Sequence, residues 1–175
     1  MTELRVERVE SLAPDTSGAA RALLWRVFDE MTEHDWRHCL GGSCVLARDG
    51  RHLVGFAAVV PRLLRCDDRP VRAGYVEGVA VAPTHRRCGV GSRVMAEVER
   101  IVRNDYELGA LGASEEALPF YRARGWWPWR GRTFAATADG PVRTADEDDC
   151  VLVYPVVALE LSGDLTCDAR EGDAW

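Results

Sequence analysis

Lysine is absent from this chain. All 22 of its basic residues are arginine, set against 28 acidic ones for a formal net charge of −6. That balance leaves no basic face of the kind that neutralises phosphates, so nucleic acid is excluded as the expected partner. A cationic ligand fits it. Long apolar runs are also absent, which excludes a membrane-spanning helix and a membrane partner. The opening "MTELRVERVE" alternates charge with apolar residues and lacks the apolar core of a signal peptide, so a cytoplasmic location is expected. None of the six cysteines (Cys39, Cys44, Cys66, Cys88, Cys150, Cys167) forms a C-x-x-C pair, which reads as scattered reduced thiols without structural zinc. There are no internal repeats and no low-complexity linker. What is there is ample apolar material: 175 residues at 47% hydrophobic predict a single domain spanning 1–175 with a real core.

The periodicities predict an α/β (α+β) sheet domain of interleaved strands and helices. Strands are expected over 4–10, 43–48, 52–66, 71–82, 106–113, 126–129 and 150–161. The pair 43–48 and 52–66 flanks the turn dipeptide Asp49-Gly50, a hairpin signal. Pro61 suggests a bulge or an edge in the long second strand. The stretch 71–82 is almost continuously apolar, as a central buried strand would be. Gly78 within it marks a bulge or a close approach. Helices are expected over 16–31 with Asp15 or Ser17 as cap, over 32–40, over 93–104, and over 114–125 capped by Ser114. Val90, Val94, Val98 and Ile101 form one apolar face of the third.

The strongest chemical signal is "RRCGVGS", between the buried strand and that amphipathic helix. Gly89 and Gly91 allow the backbone to approach a ligand and turn N–H groups toward it. The helix start adds its positive dipole end, and Arg86 and Arg87 add cationic donors. The result is an anion cradle suited to a pyrophosphate. It lacks the Lys-Ser/Thr of a P-loop and the spacing of a dinucleotide fingerprint.

The order strand, R-x-x-G-x-G, helix, short strand, "FYRARGW" resembles the GCN5-related N-acetyltransferase superfamily. Over nearly the whole chain the similarity narrows to the aminoglycoside 2'-N-acetyltransferases. It is carried by "DWRHCLGG", "GYVEGVAV", "YELGALGAS", "LPFYRARGWWPWRG" and the ending "CDAREGDAW". The resemblance implies a mixed, mostly antiparallel sheet splayed between its fourth and fifth strands and flanked by helices. It implies acetyl-CoA as co-substrate, with Arg86, Arg87, Cys88, Gly89, Val90, Gly91 and Ser92 on the pyrophosphate. Val79, Ala80 and Val81 would line the pantetheine and acetyl group. It implies no metal.

It also implies roles for individual side chains. Glu77, an acid in an otherwise apolar strand, would act as base on the acceptor amine through water, and Tyr121 as acid beside the departing thiolate. Trp175 would anchor the chain end with its ring and offer its α-carboxylate as a second base. Glu30, Asp35, Gly78, Gly112, Asp146, Glu147 and Asp173, with Glu77 and Trp175, would receive the aminoglycoside or a similar polycationic amine. Cys88 is no acyl carrier in this scheme, because its loop faces the pyrophosphate and transfer is direct. "HDWRH" mimics a zinc helix through His34 and His38 but lacks a third ligand. Two departures fall on the acceptor side: Glu30, or second to it Asp29, would substitute for an aspartate before Asp35, and Gly112 stands where a serine is expected. A homodimer is implied, as dimers are common in the family. The alternatives are acetylation of another small amine or a protein N-terminus, or a non-catalytic acyl-CoA-binding module.

Overall fold

The computed structural model describes residues 3–175. Its strands are β1 (Leu4–Val9), β2 (Ser43–Asp49), β3 (His52–Cys66), β4 (Arg69–Val81), β5 (Leu108–Gly112), β6 (Trp127–Pro128), β7 (Thr133–Thr137), β8 (Gly140–Arg143), β9 (Val151–Pro155) and β10 (Leu165–Cys167). The helices are α1 (Pro14–Val27), α2 (Glu33–His38), α3 (Val90–Asp105) and α4 (Leu118–Arg122), with 3-10 turns at Pro83–His85, Glu115–Ala117 and Ala145–Glu147. The chain divides into two compact units, one of residues up to Val60 with Val76–Ile101, the other of Pro61–Tyr75 with Val102–Trp175.

In the first unit β1 pairs antiparallel with β2, and β2 with β3 as far as Ser43↔Val59. Val45, Ala47, Phe56, Ala57 and Ala58 are fully buried in these strands. α3 docks through the predicted stripe: Val90, Val94, Val98 and Ile101 are all buried, each worth about 1.5–3 kcal/mol. Gly55 permits this docking, because a Cβ there would lie 2.9 Å from Val90 Cγ1 and 3.2 Å from Val94 Cγ2.

The second unit holds an eight-strand order, β6-β9-β5-β4-β3-β10-β7-β8. Most neighbours are antiparallel; β4–β5 and β10–β7 are parallel. The β4–β5 register comprises Ala73↔Leu108, Gly74↔Gly109 and Tyr75↔Ala110, and β4 runs on to Val81. Trp126, Trp129, Leu111, Leu152 and Leu165 fill the core of this unit.

Several local expectations are corrected. The first helix spans Pro14–Val27 rather than 16–31; Pro14 opens it, and Ala13 caps it without a side-chain bond, so neither Asp15 nor Ser17 is the cap. The segment 114–125 is not one helix. Pro119 has no N–H and its ring clashes with the carbonyl four residues back, so a 3-10 turn at Glu115–Ala117 gives way to the five-residue α4, and Ser114 makes no side-chain cap bond. The last long strand stops at Pro155 instead of 161. Pro61 lies past the β2 register, which ends at Val59, so its missing N–H breaks no bond to β2. The strands β7, β8 and β10 were not anticipated.

Gly55→Ala forces a methyl into the α3 contact. It is expected to lower stability by about 1–3 kcal/mol, read from urea unfolding; an unchanged midpoint would show that α3 yields without cost.

Candidate active site

In the first unit the anion cradle has the geometry its sequence requires. Ala82 N–H donates to Val54 O (2.8 Å), and His85 N–H to Ala82 O (2.8 Å), fixing the turn after β4. Arg87 (φ 59°) and Gly89 (φ 79°) then take left-handed conformations. Such reversals turn successive N–H groups to one side of a loop. Arg93 N–H donates to Gly89 O (3.1 Å), the cap bond of α3. The N–H groups of Val90, Gly91 and Ser92 therefore belong to the first turn, which has no intrahelical acceptors for them. No acidic residue stands in that turn, Arg86, Arg87 and Cys88 are exposed, and a Cβ on Gly89 would meet nothing within 4 Å. Open space, orphan donors and two guanidiniums fit a diphosphate. The Cys88 thiol donates to Arg86 O (3.4 Å).

Upstream on β4, Glu77, Val79 and Val81 are half-buried and Ala80 is buried. Gly78 has φ +61°, and a Cβ there would lie 2.9 Å from Cys39 Sγ and 3.2 Å from Leu24 Cδ2. Of the two expectations for Gly78, the close approach holds. Asp35 sits in the first turn of α2 as half of a capping box. Its Oδ2 accepts from Thr32 N (2.8 Å) and Thr32 Oγ1 (2.7 Å), and its own N–H returns a bond to Thr32 Oγ1 (3.3 Å). The T-x-x-D spacing carries this signal in the sequence. Glu30 is exposed in the turn before it.

The second unit carries the remaining candidates. Tyr121, on α4, is 8% exposed and lies edge-on to Trp126, ring centroids 6.2 Å apart. Burial pushes its hydroxyl up to about 12, so it keeps its proton at neutral pH. Gly112 ends β5 on an exposed position, its missing Cβ 3.6 Å from the Tyr75 hydroxyl.

The acidic run divides into two kinds. Asp148 is a structural anchor: it accepts from Thr133 Oγ1 (3.0 Å) and from Arg143 Nη1 (2.8 Å), with Arg143 Nη2 on its other oxygen. Those donors, Arg143 first, hold its carboxyl down at about 2. Glu147 is raised above the usual carboxylate value, first by burial and then by the charges of Asp173 and Asp146. Asp146, Glu147 and Asp173 thus form one field of negative charge. Trp175 is buried, its indole Nε1 donating to Thr144 Oγ1 (3.0 Å). Among the described residues no group of three or more His, Cys, Asp or Glu gathers to hold a metal, and no helix is long and apolar enough to cross a membrane.

Sequence reasoning passed over Arg62. In β3 the residues alternate from Val60 onward, with Val60, Arg62, Leu64 and Cys66 buried and Pro61, Leu63 and Arg65 exposed. A guanidinium in the buried register is the signal that marks it.

The sequence model of the acetyltransferase (GNAT) family matches residues 9–126. An aminoglycoside 2'-N-acetyltransferase of Mycolicibacterium fortuitum is 37% identical over 177 aligned positions, covering 98% of this chain and 91% of that protein. Among solved structures, the GNAT family N-acetyltransferase YhbS of Escherichia coli, in complex with CoA, superposes with a TM-score of 0.67 at 14% identity, covering 94% of this chain and 91% of that one. A GCN5-related N-acetyltransferase from Kribbella flavida gives a TM-score of 0.60 at 23% identity over 74% of this chain; this chain spans about a third of its length (34%). These two likenesses establish the fold.

The Asp148 pair predicts a pH dependence. Its folded-state value of about 2 lies below the ordinary 3.8, so its stabilisation is complete above pH 4 and is lost as pH falls through 2. Asp148→Asn is expected to lower the melting temperature at pH 7, and the gap from the parent should narrow between pH 4 and pH 2. A constant gap would show that the charge on Asp148 is not what matters.

Proposed function

The chain belongs to the acetyltransferase (GNAT) family, and we propose that it moves the acetyl group of acetyl-CoA directly onto the 2'-amino group of an aminoglycoside, the reaction of an antibiotic-resistance enzyme. The whole of residues 1–175 serves as one acetyltransferase domain in this reading. The observation that carries the acceptor class is the convergence of Asp146, Glu147 and Asp173. A carboxylate raised by burial and then by its acidic neighbours gains from a ligand with several ammonium groups, because each ammonium relieves the repulsion. The 37% identity to a 2'-N-acetyltransferase supports the regiochemistry.

The coenzyme's diphosphate is assigned to the turn at Arg86–Gly89 and the first-turn amides of Val90, Gly91 and Ser92, beside Arg86 and Arg87. Val79, Ala80 and Val81 flank the pantetheine arm. A strand N–H of Val79 or Val81 meets the thioester oxygen as it turns anionic; such a donor is worth about 10²–10³ in rate. The attacking amine must first lose a proton, which Glu77 takes through water. Tyr121 faces the opposite task. A proton held at about 12 does not pass freely to a thiolate whose ordinary value is about 8.5. Tyr121 therefore acts by donating a hydrogen bond to the departing sulfur. Asp35 has one oxygen committed to its capping box, so any acceptor ammonium engages the other. Glu30, Gly78 and Gly112 complete the acceptor side, Gly112 leaving room where a side chain is expected.

Thiol release from acetyl-CoA tests the proposal with two acceptors that differ at position 2', tobramycin with an amine and kanamycin A with a hydroxyl. Turnover is expected with tobramycin alone. Turnover with both, or with neither, overturns the regiochemistry. Glu77→Gln is expected to lower kcat about 10²–10⁴-fold while acetyl-CoA binding, followed by calorimetry, stays unchanged; undiminished kcat removes Glu77 from the base role.

A further inference from the structure

Arg62 departs most clearly from what its position requires. It stands in the buried register of β3, and its side chain is 4% exposed. Burying a guanidinium is costly unless its donors are met, and here each of its three nitrogens has an acceptor. Nε donates to Asp168 Oδ1 (2.7 Å), Nη2 to Asp168 O (2.8 Å), and Nη1 to Ala174 O (2.7 Å). All three bonds end on the last segment of the chain.

The same guanidinium lies over the Tyr75 ring, 4.9 Å from its centroid, and the Arg170 guanidinium lies 5.4 Å from that centroid. Arg170 Nε in turn donates to Asp173 O (2.6 Å). Two arginines that share one aromatic ring thus grip the consecutive carbonyls of Asp173 and Ala174. The Cys167 thiol adds a second donor to Ala174 O (3.3 Å), and the Trp175 indole secures the far side on Thr144. Tyr75 also lies beneath Gly112.

We propose that Arg62 is a positioning residue for the acceptor. Held on Tyr75, it fixes the segment 168–175 so that Asp173 and Trp175 stand in register with Glu147 and Asp146. The inference rests on the acceptor reading given above. It assigns the rigidity of that acidic wall to a planar three-point fork. Lysine cannot reproduce it, since an ammonium is a single point of charge.

Arg62→Lys keeps the charge and loses the fork, and a chain shortened by residues 172–175 removes the gripped carbonyls. In Arg62→Lys, amide hydrogen exchange over 169–175 is expected to accelerate at least tenfold. The KM for tobramycin should rise at least tenfold, while the KM for acetyl-CoA changes less than twofold. In the shortened chain, Arg62→Lys should cause no further change in tobramycin kinetics. Parent-like exchange overturns the proposal. So do equal losses for both substrates, or an undiminished effect of Arg62→Lys in the shortened chain, since those mark a merely structural residue. If the parent turns over no aminoglycoside, the proposed function fails instead. The exchange measurement then decides alone whether Arg62 holds the segment.

Discussion

The short parallel pairing of β4 with β5 is the constraint on which the rest depends. It holds three residues of β4 and ends at Tyr75↔Ala110. Beyond that point β4 continues as a strand to Val81, and Gly78 takes a left-handed conformation within it. Strand N–H groups are strong, fixed dipoles. They cost no reorganisation when charge develops on a bound thioester, which is why a strand that outruns its neighbour suits acyl transfer. Tyr75, at the last paired position, is also the ring under Arg62 and Arg170. The residue that ends the pairing anchors the segment that carries Asp173 and Trp175.

Charge is distributed with the same economy. A chain without lysine places its guanidiniums where planar, directional bonds are needed, on Asp168 and on Asp148, with two more beside the glycine turn before α3. Asp148 is spent on Arg143 and Thr133, whereas Asp146, Glu147 and Asp173 are left as a mutually repelling set. Repulsion among neighbouring carboxylates, Glu147 half-buried between the exposed Asp146 and Asp173, is a standing cost to the fold. In the acceptor reading a polycation repays it.

Much of this was legible in the sequence where local chemistry decides the structure. The β3 bounds 52–66 are legible because an apolar-rich stretch follows the turn dipeptide Asp49-Gly50. The α3 stripe and the glycine turn before it were equally plain. Pro119 was visible too, yet the apolar spacing around it was taken for one helix, and the ring's clash split that segment. The strands "TFAAT", "GPVR" and "LTC" carry too little apolar alternation to announce themselves; pairing with neighbours makes them strands. The roles of Glu77 and Tyr121 rest on resemblance. For Asp35 the sequence suggests a substrate carboxylate, and the structure adds its capping bonds to Thr32. Arg62 was missed because a buried charge is intelligible only once its partners, more than a hundred residues away in sequence, are in place.

The central claim is that acetyl passes in one step from coenzyme to a single amine. Carbon-13-labelled acetyl-CoA followed onto tobramycin by two-dimensional NMR tests it most directly. The account predicts one product, with the labelled carbonyl coupled through the 2' nitrogen, and protein of unchanged mass after incubation with the coenzyme alone. Label on another nitrogen, or an acetyl adduct on the protein that then passes to the acceptor, would contradict it.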